Sequence, residues 1–238
     1  MTIDFSFMKR VLPQIIAFLP VTLKLTVVAF LIAFVVGVLM ALAVNRRIKV
    51  LSQICRVYMS LIRGTPMLLQ IYVIYNLTPY LLAGFFEKTG ISYNIYDVNP
   101  IWYAYVALSL TASVSVAEAI RAGLQSINKG QREAGLSIGM SERATFLHIV
   151  FPQVLCVAMP VIGNIMVDLI KATSLAFMMS VVEITGEAKI LGGEVLRYFE
   201  AYLCVFIIYI VVISIVERLM RLLEKKVSVY RRGVHSSV

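Results

Sequence analysis

Long apolar runs separated by short polar ones set the pattern of this chain. Five runs are long enough to cross about 30 Å of hydrocarbon as helices: 19–44, 54–77, 101–123, 154–182 and 202–219. Their helical reading rests on length rather than periodicity. The first has no charge from Leu25 to Val44, whereas the others carry polar side chains that are costly against lipid and are expected to face inward. Between the third and fourth runs the pattern changes. Arg132 to Gln153 (REAGLSIGMSERATFLHIVFPQ) is polar, charged and helix-forming, and is expected outside the bilayer. Behind Glu133, the small residues Ala134, Gly135 and Gly139 leave one face nearly bare, so another protein could approach the backbone closely. The pattern predicts an all-α membrane protein, one transmembrane domain over 1–238, with a docking helix at about 130–143.

Composition excludes a soluble globular domain, since 60% of residues are hydrophobic and only 15% charged. Basic residues gather in alternate loops: Arg46, Arg47, Lys49 and Arg56; then Lys129, Arg132 and Arg143; then the tail from Arg218. The intervening loops are acidic or mixed. The positive-inside rule makes the basic loops and the C-terminus cytoplasmic and the N-terminus external, with Lys9 and Arg10 arguing the other way. A net charge of +9 split among three juxtamembrane loops fits topology and anionic-lipid contact, not nucleic acid. The start lacks the pattern of a cleavable signal peptide. Cys55, Cys156 and Cys204 show no CxxC spacing and read as packed thiols, and no metal site is expected.

Catalytic chemistry is not expected either. A phosphate loop needs GxxxxGK[ST], and the nearest approach, Gly130 to Gly135, lacks the lysine. Three charged segments within the apolar runs carry the candidate chemistry. Arg63-Gly64-Thr65-Pro66 falls near the middle of the second run. Pro66 removes an N–H and crowds the carbonyl of Ile62, so freed backbone groups are expected to face a cavity, as in broken helices that bind polar substrate groups. The plainer alternative is a kink with Arg63 snorkelling or paired to a carboxylate. In the fourth run, Asp168 and Lys171 stand one turn apart, either as an internal ion pair or with Asp168 receiving a substrate ammonium while Arg63 receives a carboxylate. Glu118 and Arg121 form a further i, i+3 pair near the end of the third run and are expected to fix that helix to the docking element.

Glu133-Ala134-Gly135, Gly139 and Ile149-Val150-Phe151-Pro152 resemble the EAA coupling loop of ATP-binding-cassette (ABC) importer permeases. With Arg63-Gly64-Thr65-Pro66, Glu118, Arg121, Gln125-Ser126-Ile127, Lys129-Gly130-Gln131 and Lys171 with Thr173-Ser174-Leu175, the whole chain resembles a permease subunit of the polar amino acid importers, the group of histidine, glutamine, arginine and cystine permeases. It departs from their pattern at Gly135 in place of a second Ala, Asn128 in place of proline, Phe151 in place of leucine and Ala172 in place of Asp. The resemblance implies a type I ABC importer permease fold in a bacterial cell membrane. It implies a cytoplasmic ATPase dimer that binds ATP and Mg, an extracytoplasmic solute-binding protein, a second identical or homologous permease, and no cofactor in this chain. Glu133, Ala134, Gly135, Gly139 and Ser141 would couple to the ATPase. Gly64 to Pro66 and Met166 to Asp168 would lie near substrate together with Arg63, and Glu118, Arg121 and Lys171 would be structural or gating. L-cystine is one candidate substrate. Competing readings are an ion-coupled secondary transporter using Asp168 and Glu118, and a membrane scaffold.

Overall fold

Proline and the length of each apolar run decide where the helices stop and start. The computed structural model describes residues 3–90 and 97–235, with side chains to 227. α1 (Phe5–Ala17) is capped by Asp4, whose carboxylate accepts from the Phe7 amide, and runs through Phe18 into α2 (Leu19–Asn45), which has Pro20 in its first turn. α3 (Lys49–Gly64) and α4 (Met67–Thr89) follow, then α5 (Ile101–Ser126). α6 (Lys129–Ser137) and α7 (Glu142–Thr145) form a short hairpin. α7 passes through a π turn, Phe146–Val150, into α8 (Phe151–Ala172), which tightens into a 3-10 segment, Thr173–Met179. α9 (Ile184–Glu194) and α10 (Tyr198–His235) complete the chain.

Among the described residues five stretches are long and apolar enough to cross a membrane, the expected number: Phe5–Asn45, Met67–Thr89, Ile101–Ser126, Glu142–Met179 and Tyr198–Val227. The second differs from the 54–77 read from the sequence. Thr65 is extended (φ −119°, ψ 136°) because proline disfavours helical geometry in the residue before it, and Pro66 lacks the N–H that would continue the ladder. Arg63-Gly64-Thr65-Pro66 therefore joins two helices instead of kinking the middle of one. The helix before it, α3, buries Ser52, Cys55 and Met59 along one stripe.

α5 is the central helix, with most of its length buried. Its most extensive pairing is with α2, and it also packs on α8, α4 and α3. The α2–α5 crossing depends on Gly37, where a Cβ would fall 2.7 Å from the Ser113 carbonyl oxygen and 2.7 Å from Val116 Cβ. A second apolar cluster joins α1, α9 and α10 through Phe7, Ile15, Ile184, Ala201 and Cys204. Arg197 at the foot of α10 pins the start of α1 by a 3.0 Å ion pair to Asp4.

Candidate functional site

The break before α4 is stabilised by one side chain. Pro66 cannot donate to the Ile62 carbonyl four residues back, and Gln70 takes its place: its Nε2 donates to Ile62 O (2.8 Å), Thr65 O (3.0 Å) and Thr65 Oγ1 (3.0 Å). The Gln70 amide oxygen accepts from Thr111 Oγ1 of α5 at 2.9 Å, which ties the break to the central helix. The carbonyl groups expected to open into a cavity are thus satisfied internally. Sequence reasoning missed Gln70, although a buried glutamine four residues after a helix-breaking proline is a readable signal.

Arg63 is held by Glu118 of α5, Nη1 to Oε1 at 2.5 Å. This is the carboxylate-paired alternative, and it redirects Glu118, which pairs across helices rather than with Arg121 in its own helix. Among the described residues Arg121 has no ion pair. Gly64 is open, with nothing within 4 Å of where a Cβ would be, and Thr65 and Pro66 are exposed.

On α8, Met166 is half-buried, and Asp168 accepts from Lys171 Nζ at 3.4 Å. The internal pair is present in this chain, but the side chains are 73% and 58% exposed, so it contributes only about 0–1 kcal/mol. No hydrogen bond or ion pair among the described residues joins the Arg63 group to the Asp168 group. They are connected indirectly, because α4 meets the segment after α8 through Tyr72 Oη to Met178 Sδ (3.2 Å) and Tyr75 Oη with Ser180 Oγ (3.2 Å).

The hairpin of α6 and α7 is built from caps. Asn128 accepts from the Gly130 amide (2.9 Å), so an N-cap asparagine stands where the resembling proteins have proline. Gly139 sits at φ +83°, a left-handed conformation that reverses the chain. Ser141 Oγ accepts from the Ala144 amide (3.2 Å), capping α7, and Arg132 meets Glu142 at 2.5 Å to close the hairpin. Gly135 corrects the reading of a bare docking face. It is buried inside the hairpin, and a Cβ there would lie 2.6 Å from Thr145 Cγ2 and 2.9 Å from Thr145 Oγ1. The face left open carries Glu133, Ala134 and Ser137. Gln153 Nε2 of α8 donates to Gln131 Oε1 of α6 (3.2 Å), so the hairpin is tied to α8 by side chains as well as by the chain.

Glu183 occupies a different part of the molecule. Fully buried at the start of α9, it accepts on Oε1 from the amides of Thr185 (2.9 Å) and Gly186 (2.8 Å). Burial pushes its carboxyl above the ordinary 4.5, against the lowering effect of those two amides. A raised folded-state value means stability that is full below 4.5 and is lost as pH rises through the folded value. Glu183→Gln keeps the acceptor and stays neutral. Between about pH 4 and 8 the wild type is expected to lose melting temperature relative to Glu183→Gln as pH rises; parallel melting curves would show that the carboxyl is not shifted.

Among the described residues no three His, Cys, Asp or Glu side chains gather as a metal set. Residues 33–229 match the family model described as binding-protein-dependent transport system inner membrane component. The probable amino-acid permease protein YxeN of Bacillus subtilis (strain 168) is 36% identical over 227 residues, covering 95% of this chain and 97% of that protein. The L-cystine transport system permease protein TcyL of the same organism is 34% identical, covering 94% and 91%. Among solved structures, that of an amino acid ABC transporter with histidines superposes with a TM-score of 0.79 at 31% identity, covering 95% of this chain and all of that one. The fold is that of type I ABC importer permeases. A family model matched over most of the length, and relatives more than 30% identical along nearly all of it, make this chain a member of the family of binding-protein-dependent transport system inner membrane components, as an amino acid ABC permease.

Proposed function

We propose that this chain forms the translocation path of an ATP-driven amino acid importer and transmits ATPase movement to it. The observation that carries this reading is the polar hairpin 129–145. It exposes Glu133, Ala134 and Ser137 on α6, and its second helix, α7, runs on in helical structure through the membrane-crossing stretch Glu142–Met179. In this reading the hairpin sits in a cleft of a cytoplasmic ABC ATPase, which binds ATP and Mg, and this subunit itself hydrolyses nothing and carries no cofactor. The basic loops and the C-terminus face the cytoplasm, an extracytoplasmic solute-binding protein delivers substrate, and a second identical or homologous permease completes the path.

Closure of the ATPases would move the hairpin as one body. Its internal packing at Gly135–Thr145 and its tie from Gln131 to Gln153 support that rigidity. The motion would reach α8, and with it Asp168 and Lys171, switching the path between inward and outward access. Glu133, the exposed carboxylate of the open face, would meet basic or amide donors on the ATPase. Glu133→Arg is expected to abolish ATP-driven uptake while leaving insertion and ATPase turnover in place; unchanged uptake would remove the docking role.

Substrate would pass Arg63 to Pro66, Met166 and Asp168. The weak, exposed pair of Asp168 with Lys171 leaves that carboxylate available for an amino acid ammonium. L-cystine fits a doubly zwitterionic cargo, and the likeness to a cystine permease supports it. Asp168→Asn is expected to raise the substrate concentration for half-maximal uptake by about tenfold, as for the loss of one charge-assisted hydrogen bond. Equal uptake of every amino acid tested would leave Asp168 only a partner of Lys171.

A further inference from the structure

The diversion of Glu118 to Arg63 leaves an uncompensated cluster behind it. Arg121 of α5, Arg47 of the turn after α2 and Arg56 of α3 line one cavity of about 260 Å³ together with Val44, Asn45 and Gln125, and among the described residues no carboxylate lines it. Two of the three come together because the chain reverses tightly after α2. Arg47 takes φ +53°, its amide donates to Val44 O (3.2 Å), and α3 folds back over the end of α2. Among the described residues the Arg56 side chain makes one hydrogen bond, to Ser52 Oγ at 3.3 Å. Three guanidinium groups from three elements repel one another unless an anion sits among them. Their planar donor forks match the oxygens of a phosphate group.

Two observations point to a lipid rather than a free ion. The cavity lies where α2 and α5 end and α3 begins, at the edge of the membrane-crossing segments. Asn45 also lines a larger cleft, about 1060 Å³, walled by the charged side chains Arg46, Lys129, Arg132, Glu142 and Arg143 as well as by Leu42, Leu124, Phe146 and Leu147, so that its charged wall is mainly basic. An arginine-lined phosphate site at a membrane boundary, continued by a cleft whose charged wall is mainly basic, fits the headgroup of an anionic phospholipid whose chains stay in the bilayer. We propose that Arg47, Arg56 and Arg121 bind the phosphodiester headgroup of an anionic phospholipid. The site belongs to this chain alone and does not depend on which amino acid is carried. Because Asn45 lines both the arginine cavity and the cleft walled by Phe146 and Leu147 of the docking segment, a bound headgroup lies beside the element that the ATPase would move.

The test uses the full-length protein reconstituted in phosphatidylglycerol mixed with phosphatidylcholine, extracted and weighed by native mass spectrometry. Wild type is expected to retain phosphatidylglycerol over phosphatidylcholine, with the preference falling about fivefold for each arginine changed to glutamine at 47, 56 and 121. The charge-matched control Arg218→Gln/Arg221→Gln/Lys226→Gln is expected to keep it. If the triple pocket variant fails to fold, Arg121→Gln alone reads the effect, because it removes a side chain with no ion pair among the described residues. No lipid preference in wild type, or full retention by the pocket variants, would overturn the proposal. So would inorganic phosphate without phosphatidylglycerol raising the melting temperature as much as the lipid does, since that marks a free-ion site. Retained lipid with lost ATPase co-purification would instead assign the cluster to an acidic protein surface.

Discussion

Gly135→Ala, a change of one methyl group to the residue usual in the resembling proteins, is expected to damage the docking hairpin. The new carbon would lie 2.6 Å from Thr145 Cγ2, well inside contact distance, and overpacking of this kind costs about 1–3 kcal/mol. A nine-residue helix has little intrinsic stability to absorb that. Thr145→Ala removes the obstructing methyl and hydroxyl together. The hydroxyl is buried without a hydrogen-bond partner among the described residues, so its loss sacrifices no such bond. The double variant Gly135→Ala/Thr145→Ala is therefore expected to recover most of what Gly135→Ala loses, a coupling of about 1–2 kcal/mol. Melting temperature and ATP-driven uptake of the four proteins read the cycle. Additive losses would mean that Gly135 and Thr145 do not share the space.

The second large effect is expected at Gln70. Gln70→Leu deletes at once the two N–H donors that the three acceptors of the Ile62–Thr65 turn share and the oxygen that accepts from Thr111. At about 1 kcal/mol net for each of these three bonds, the loss is on the order of 3 kcal/mol, or roughly 6–12 °C in melting temperature for a chain of this size. Gln70→Glu should be worse than Gln70→Leu at neutral pH. It sets an anionic oxygen against two carbonyl oxygens in a buried position, whereas leucine only leaves them unpaired. A melting temperature for Gln70→Glu equal to wild type would show that the glutamine is not standing in for the missing proline amide.

Much of the architecture was legible because membrane crossing demands length and apolarity, and both are written directly in the residues. The number of spans and a polar segment between the third and fourth followed from that alone, but the single docking helix read at 130–143 is a hairpin, because Gly139 in a left-handed conformation ends α6 before α7 begins. The error in the second span has a specific cause. Ile54 to Leu77 is apolar enough to read as one helix, and proline alone does not decide between a kink and a full break. The decision rests with Gln70, which satisfies the open turn from four residues beyond it. Pairing across helices was less legible than pairing along them. Spacing alone suggested Glu118 with Arg121, while the folded chain brings Glu118 to Arg63 from 55 residues earlier. The same limit explains Gly135. Its small size was correctly noticed, but sequence cannot say whether a small residue makes room for a partner protein or for Thr145 of its own chain. Asp168 with Lys171, one turn apart on α8, was legible because both ends of that interaction lie in one helix.

The most direct test of the central claim is uptake in proteoliposomes holding this chain with its co-purifying ATPase and a solute-binding protein, using radiolabelled cystine, arginine, histidine and glutamine with and without ATP. Uptake of one of these amino acids that requires ATP and disappears in Glu133→Arg is the expected result. Uptake driven by an ion gradient without ATP, and indifferent to Glu133, would contradict it.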